Sequence, residues 1–258
     1  MSTNQDSLYD ISRVNVDISN ENILNVRKLK FHKGAIYGVV GPAGSGKTTM
    51  LKLLSGLIKE SSGEVKYDNS FFETNWMGKA ILNPEIKFVD LLKNDFGKSL
   101  PSKINNNNSK DIFSTYSKKM NINRLLNNKP SDLSKGELAF ANLSLALEDD
   151  PRVLIIDDYG IYFDKSTEIN FRKKIQLMNK NFGTTIILSS ISDKILKLFT
   201  SVNIYLENGY VSKIRAGSNN RSANNKYKTT RKKYKKSRSR GWLKGILNVV
   251  RIFFKKEF

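Results

Sequence analysis

A glycine-rich stretch at residues 41–49, GPAGSGKTT, has the residue types and spacing of a phosphate-binding loop. Glycines let the backbone curl so that successive N–H groups point at phosphate oxygens, and a following helix offers its positive N-terminal end. Lys47 is then expected to neutralise the β- and γ-phosphates of a nucleotide, and Thr48 to bind Mg²⁺. The predicted nucleotide-binding residues are Gly41, Pro42, Ala43, Gly44, Ser45, Gly46, Lys47, Thr48 and Thr49.

A carboxylate at the end of a short apolar run is the second candidate for this chemistry. Residues 153–156, VLII, read as a buried strand, and Asp157 follows directly. Alone, such a run is weak evidence, but beside a phosphate-binding loop it predicts a Walker B strand. The sequence therefore assigns Mg²⁺ binding to Asp157 together with Thr48, usually through water at the carboxylate.

Between these two motifs, residues 133–137, LSKGE, open a predicted helix. Ser134 can cap that helix, and Glu137 stands where a capping box has an acid, so the segment alone reads as an ordinary helix start. In its position between the P-loop and the Walker B strand, it resembles the LSGGQ signature of ABC-type ATPases. The chain thus resembles the ATP-binding subunits of ABC transporters over about residues 10–216.

The same resemblance has a finer part. LAFANLSLAL at residues 138–147, with Phe163 and Asp164 at the D-loop position, favours the capsular-polysaccharide exporter type. The resemblance implies a head-to-tail pair, a homodimer or a heterodimer with a second ABC ATPase subunit. Ser134 and Gly136 would then contact the γ-phosphate bound to the partner. ATP would close the pair, hydrolysis would reopen it, and the motion would drive a separate transmembrane permease subunit.

The departures from the family pattern concern hydrolysis. The catalytic pair that the resemblance implies is Lys47 and Asp158, and Asp158 replaces the Glu that serves as general base. An aspartate is one methylene shorter, and a misplacement of about 1 Å can cost on the order of 100-fold in rate. Ser190 stands at the switch-histidine position. The single histidine, His32, is expected to be a surface strand residue.

Other family positions are changed as well. The Q-loop glutamine is expected near residues 80–85, where no Gln occurs, and the adenine-stacking aromatic is missing. Asn83 or Pro84 stands at the Q-loop position. Ile18 lies near the position of the stacking aromatic, and Tyr9 comes too early in the chain to fill it. Lys135 and Glu137 replace a glycine and the glutamine of the signature.

Two functions follow from this pattern. The first is an exporter ATPase, of capsular or other cell-surface polysaccharide, with weakened catalytic motifs. The alternative is a non-catalytic module that dimerises on ATP without efficient hydrolysis. A nucleic-acid protein of ABC type is disfavoured, since such chains carry tandem domains or a long coiled coil, and only the basic tail supports it.

The elements that must position these residues predict an α/β fold. Strands alternate with helices, which indicates a parallel sheet covered on both faces. The resemblance adds a P-loop NTPase core of ABC ATPase type, an antiparallel β subdomain and a helical subdomain, with mostly helix around a polar loop at residues 105–109. Strands are predicted at residues 11–18, 23–31, 35–40, 153–156, 184–188, 202–206 and 209–214, and a helix at 47–59.

The chain divides into an ATP-binding domain at residues 1–216, with its helical subdomain at about 71–150, and a basic tail. The formal net charge is +20, and residues 219–258 hold 14 of the 44 Lys and Arg residues against one acid, Glu257. Residues 217–240 are too polar to fold alone and predict a disordered linker. Residues 241–258 predict an amphipathic helix, with one polar stripe at Lys244, Asn248, Arg251 and Lys255.

The tail is expected to bind the membrane surface or the transporter, in preference to nucleic acid. A basic flank, an interfacial Trp242 and a wide apolar face are typical of a helix that lies in the bilayer interface. The chain lacks cysteine, a signal-peptide pattern at residues 1–10 and any apolar run of membrane-spanning length. These features predict a cytoplasmic protein, peripheral on the inner face of the cell membrane.

Deletion of residues 241–258 is expected to abolish co-sedimentation with vesicles containing anionic lipid. Each Lys or Arg near such a surface contributes about 1 kcal/mol, so binding should also weaken as salt is added. Unchanged sedimentation of the shortened chain, with no membrane subunit present, would contradict the membrane assignment.

Overall fold

The computed structural model describes residues 7–68, 72–74, 80–82, 86–93 and 109–218. In these residues the strands are β1 Ser7–Ile18, β2 Glu21–His32, β3 Ile36–Val40, β4 Ser62–Tyr67, β5 Phe72–Thr74, β6 Ala80–Leu82, β7 Ile86–Val89, β8 Val153–Ile156, β9 Thr185–Ser190, β10 Val202–Glu207 and β11 Tyr210–Ala216. The helices are α1 Lys47–Leu54, α2 Ser109–Tyr116, α3 Ile122–Asn127, α4 Lys135–Glu148, α5 Lys165–Phe182 and α6 Asp193–Leu196.

One large sheet organises the fold, in the strand order β4-β1-β2-β11-β10-β3-β9-β8-β7. Strands β7, β8, β9, β3 and β10 run parallel to one another. Parallel strands bring their carboxyl ends to the same edge, where ligands of open α/β sheets bind. The segments that follow β3, β7, β8 and β9 therefore meet at one place.

Both faces of the parallel sheet are buried, because successive side chains of a strand point to opposite faces. In β8, Val153 and Ile155 pack into a core that also contains the apolar residues of α1. Leu154 and Ile156 pack into a second core formed with α4 and α5. A continuous apolar run is thus what a strand between two helix layers requires.

An antiparallel part extends the sheet beside the parallel core. Strands β1 and β2 form a long hairpin that turns at Ser19 and Asn20, both with positive φ. Strand β4 pairs with the other edge of β1, antiparallel to it. A two-residue turn with positive φ at both positions matches the right-handed twist of the flanking strands. The hairpin adds Leu24 and Phe31 to the core on the α1 side.

The predicted fold class is confirmed, and the differences lie at particular elements. The helix expected at 47–59 ends at Leu54. The segment expected to be mostly helix begins with three short strands, of which β7 joins the main sheet, before α2 and α3 follow. Strand β7 is only four residues long, and its pairing with β8 decides its conformation. Residues 105–108 of the polar run lie outside the described residues. So do residues 219–258, which contain the predicted amphipathic helix and all of the predicted linker except residues 217 and 218.

Within the residues that the structure describes, no helix has the length and apolar character needed to cross a bilayer.

Phe171→Ala is expected to lower the free energy of unfolding by about 3–5 kcal/mol. The Phe171 ring is fully buried on α5 and contacts the rings of Tyr116, Phe140 and Phe163, at centroid distances of 4.9, 5.5 and 4.9 Å. Leu177→Ala on the same helix is the control, because Leu177 is 50% exposed and should cost less than about 1 kcal/mol. Equal losses for both variants in urea denaturation would contradict this packing.

Candidate nucleotide-binding site

The glycine-rich loop leaves β3 and is held against the sheet by its backbone. The Gly41 N–H donates to the Ser190 carbonyl at 3.3 Å. A Cβ on Gly41 would lie 2.4 Å from the Leu206 carbonyl oxygen, and one on Gly46, whose φ is +90°, would lie 2.9 Å from the Ile23 oxygen. Only glycine fits these two positions, which fixes the path of the loop into α1.

The N-terminal end of α1 is suited to bind an anion. Gly46 provides no side-chain cap, and the first turn contains no acid. The N–H groups of a first helical turn lack partners within the helix, and together they attract negative charge. Ser45 Oγ is also buried, with no hydrogen-bond partner among the described residues. These features fit a phosphate group.

Lys47 is buried within the loop. Its Nζ donates to the Pro42 carbonyl at 2.8 Å. Burial lowers the pKa of Lys47, while the charges of Asp158 and Asp157 oppose that shift. The Lys47 side chain thus lies close to two carboxylates, at the position where an ammonium group would neutralise phosphate charge. Of the other loop residues, Pro42, Ala43, Gly44 and Thr48 are exposed, whereas Gly41, Ser45, Gly46 and Thr49 are buried.

Asp157 and Thr48 lie together, as the Mg²⁺ prediction requires. Thr48 Oγ1 donates to Asp157 Oδ2 at 2.7 Å. The other carboxylate oxygen, Oδ1, accepts from the Ser189 hydroxyl. The Asp157 N–H donates to the Val89 carbonyl at 3.0 Å. A hydroxyl and a carboxylate are oxygen ligands of the kind that Mg²⁺ takes, so the pair fits the ion chemically.

Asp158 follows in an unusual conformation, with φ +53°. Its N–H donates to Ser189 Oγ at 2.8 Å, so the same serine holds two consecutive aspartates. Burial raises the pKa of Asp158, the charges of Asp157 and Asp90 raise it further, and Lys47 opposes the shift. A half-buried carboxylate with a raised pKa is a stronger base than an exposed one.

A third carboxylate, Asp90, was missed by sequence reasoning. Strand β7 is parallel to β8, and Val89 pairs with Ile156, so the next residue in each strand direction is Asp90 beside Asp157. The Q-loop interpretation named Asn83 or Pro84, which fall outside the described residues. The available signal was the run IKFV at residues 86–89 followed by an acid, the same pattern that identified Asp157.

The signature residues stand at the start of α4. Ser134 caps the helix, its Oγ accepting from the Glu137 N–H at 3.3 Å, while Glu137 Oε2 accepts from the Ser134 N–H at 2.9 Å. The predicted capping box is therefore confirmed. Ser134 is exposed, and a Cβ on Gly136 would lie 3.4 Å from the Tyr162 carbonyl oxygen. Contact with a nucleotide on a partner chain stays a prediction.

The other predicted positions are occupied as follows. Ser190 is buried at the end of β9, where its Oγ accepts from the Ser192 N–H at 3.4 Å. Asp164 caps α5, and the Thr167 N–H, 2.7 Å from its carboxylate, lowers the Asp164 pKa. His32 is exposed at the last position of β2, as expected. Ile18 is exposed, whereas Tyr9 lies in the core and is not available to stack on a base.

Comparison with known proteins identifies the same family as the sequence motifs do. A family model described as ABC transporter matches residues 24–159. The energy-coupling factor transporter ATP-binding protein EcfA of Malacoplasma penetrans is 29% identical, over 75% of this chain and 71% of that protein. The lipoprotein-releasing system ATP-binding protein LolD of Buchnera aphidicola is 30% identical, over 67% of this chain and 81% of that protein.

A solved structure agrees in fold. A dimeric ATP-binding cassette in a post-hydrolysis state, bound to ADP and Pi, superposes with a TM-score of 0.59 over 81% of this chain and 98% of that one. Its sequence identity is 21%, so this likeness concerns the fold alone.

Asp158→Asn is expected to raise the Tm of the nucleotide-free protein slightly at neutral pH. Because the folded-state pKa of Asp158 is raised, its ionised form costs stability above that pKa, and the cost disappears as pH falls through it. The gain from the substitution should therefore shrink on acidification. Asn also tolerates a positive φ.

Asp150→Asn is the matched control for this measurement. Asp150 has a similar backbone conformation, with φ +47°, but its side chain is exposed. The Tm of Asp150→Asn should differ less from that of wild type at neutral pH than the Tm of Asp158→Asn does. A lower Tm for Asp158→Asn than for wild type at neutral pH would contradict the charge arrangement described above.

Proposed function

Because this chain belongs to the ABC transporter family, as the ATP-binding subunit of such a transporter, we propose that it binds MgATP at residues 41–49 and hydrolyses it slowly when alone. The observation that supports this most directly is the grouping of Lys47, Thr48 and Asp157 at the uncapped start of α1. These side chains match what a nucleotide with its metal ion needs at its phosphates.

The binding part of the site is complete in its residue types. Loop N–H groups and the α1 N-terminus would hold the phosphates, and Lys47 would balance their charge. Thr48 and Asp157 would hold Mg²⁺, which supplies further neutralisation of phosphate charge when bound. Ser189 keeps the Asp157 carboxylate turned toward Thr48, since it donates to the opposite carboxylate oxygen.

The hydrolytic part is the weaker one. Asp158 is the proposed base that takes a proton from the attacking water, and its raised pKa favours that role. Its reach is short by one methylene, and its backbone N–H is tied to Ser189 at 2.8 Å, which limits how far the carboxylate can advance. Ser190 offers a hydroxyl, in place of an imidazole, where the family has its switch histidine. Slow turnover follows from these two changes.

A second candidate function rests on the same observations. If Asp158 does not reach the water at all, the chain is a non-catalytic module that dimerises on ATP. The changed residues Asp158 and Ser190 favour this reading, since neither is needed for binding.

The partners that we propose are a transmembrane permease subunit and a second ABC ATPase, either another copy or a different chain. At the start of α4, the exposed Ser134 and the half-buried Gly136 would contact a nucleotide on that second subunit. Such a pair would lie on the inner face of the membrane, with the basic tail contributing to attachment. Polysaccharide export stays a prediction from residues 138–147, and the two relatives are named for energy-coupling factor transport and lipoprotein release.

Steady-state ATP hydrolysis by the purified chain tests the proposal, with Lys47→Ala as the inactive control. Wild-type turnover should be low but above that control. Asp158→Glu should raise it by about ten- to 100-fold by restoring the reach of the base, and Asp158→Asn should reduce it to the control level. ATP affinity, measured separately by equilibrium binding, should persist in both Asp158 variants and be lost in Lys47→Ala.

Each contrary result has a defined meaning. Rapid turnover by the wild type alone, without a partner, would refute the weakened site. Turnover equal to Lys47→Ala in every variant, with ATP still bound by the wild type, would establish the non-catalytic module instead. Absence of ATP binding by the wild type would refute both functions.

A further inference from the structure

A buried amide on α4 meets the turn that follows β7. The Asn142 side chain is 9% exposed. Its Nδ2 lies 2.9 Å from the Leu91 carbonyl oxygen, 3.1 Å from that of Lys93 and 3.5 Å from that of Asp90. One side chain thus faces three carbonyls of a four-residue segment.

The turn is built around the same residues. The Leu92 N–H donates to Asp90 Oδ1 at 3.1 Å, and the Lys93 N–H donates to the Asp90 carbonyl at 3.2 Å. Leu91 points into the core beside α4. Because a buried carbonyl without a donor is costly, the Asn142 amide stabilises a path of the backbone that would otherwise have to open to water.

The position of this turn connects two parts of the site. Its first residue, Asp90, lies beside Asp157 at the carboxyl edge of the sheet, and its charge contributes to the raised pKa of Asp158. The helix that holds the turn, α4, begins at the signature residues, with Ser134 as its cap. Asn142 lies about two turns into that helix, so a single hydrogen-bonding group joins α4 to the Asp90 turn.

We propose that Asn142 is a positioning residue that fixes the turn of residues 90–93 to α4, so that the Asp90 carboxylate is held beside Asp157 and the turn moves with the signature helix. The attachment itself follows from the contacts of the chain alone. Its consequence for the nucleotide rests on the function proposed above.

Amide hydrogen exchange on the nucleotide-free full chain tests the attachment. Asn142→Ala should speed exchange at the Leu92 and Lys93 amides by roughly three- to tenfold, which is what the loss of a typical hydrogen bond allows. The Ile155 amide in β8 should not change. Equal acceleration at all three amides, or none at Leu92 and Lys93, would show that Asn142 only fills space and would overturn the proposal.

Ser144→Ala is the matched control on the same helix. Ser144 is fully buried, and its Oγ has no hydrogen-bond partner in the described part of the chain. Its removal deletes a buried polar group of α4 without touching the turn, so exchange at Leu92 and Lys93 should stay as in wild type. Acceleration there equal to that of Asn142→Ala would mean that any disturbance of α4 loosens the turn, against a specific role for Asn142.

A wild-type measurement keeps the proposal testable if Asn142→Ala does not fold. The two Nδ2 protons of Asn142 should exchange with solvent much more slowly than those of an exposed amide such as Asn22. Exchange of both at the rate of the Asn22 amide would overturn the attachment.

A double-mutant cycle tests the link to the nucleotide, using the dissociation constant of a non-hydrolysable ATP analogue with Mg²⁺. Asp90→Asn should change the dissociation constant, because it removes a negative charge from the carboxylates beside Asp157. In the Asn142→Ala background the same change should have a clearly smaller effect, since the carboxylate is no longer held there. Independent effects, or no effect of Asp90→Asn, would overturn the link.

The hydrogen-exchange measurements and the binding cycle together distinguish failure of this inference from failure of the proposed function. A wild type that does not bind the analogue refutes the nucleotide site and with it the link. The exchange measurements decide the attachment of the turn in either case.

Discussion

The Asp157 carboxylate is the contact on which the arrangement of the site depends. One oxygen accepts from Thr48 at the start of α1, the other from Ser189 in β9, and the backbone N–H of Asp157 donates to Val89 at the end of β7. These bonds join the loop to three neighbouring strands. They can form together only because the strands are parallel and in register, so that all their carboxyl ends stop at the same edge.

The charge balance at this edge follows from the same geometry. Asp157 and Asp158 lie close to the buried Lys47, and Asp90 adds a third negative charge close to Asp158. Burial raises the pKa of Asp158, and the charges of Asp157 and Asp90 raise it further. A ligand that brings phosphate charge alone would add to the repulsion, whereas phosphate together with a divalent cation would relieve it. The residue types therefore favour a metal-bound nucleotide over a free one.

The sequence predicted the parts of the site that are encoded locally. The phosphate-binding loop and the strand at residues 153–156 have patterns complete within ten residues, and the structure gives that strand the predicted bounds. The places of Asp90, Ser189 and Asn142 depend instead on which strands pair and where α4 lies. The Asp90 strand is four residues long, and in a mostly polar segment such a run carries little signal until its partner β8 is known.

The phosphate-binding residues of this chain match the family pattern, whereas residues at the positions that serve hydrolysis differ from it. Binding and hydrolysis depend on different physical features of the site. Binding of phosphate relies on backbone N–H groups, glycine positions and a helix terminus, which tolerate side-chain changes nearby and are intact here. Hydrolysis relies on the reach of individual side chains to one water. Under the function proposed above, the missing methylene at Asp158 and the hydroxyl of Ser190 in place of an imidazole would lower the rate of hydrolysis and leave affinity largely unaffected. Under the function proposed above, a chain that keeps the binding residues and alters the hydrolytic ones would close on ATP with its partner and reopen slowly. The pair would then have a long-lived closed state, whose lifetime a partner with a complete base could set.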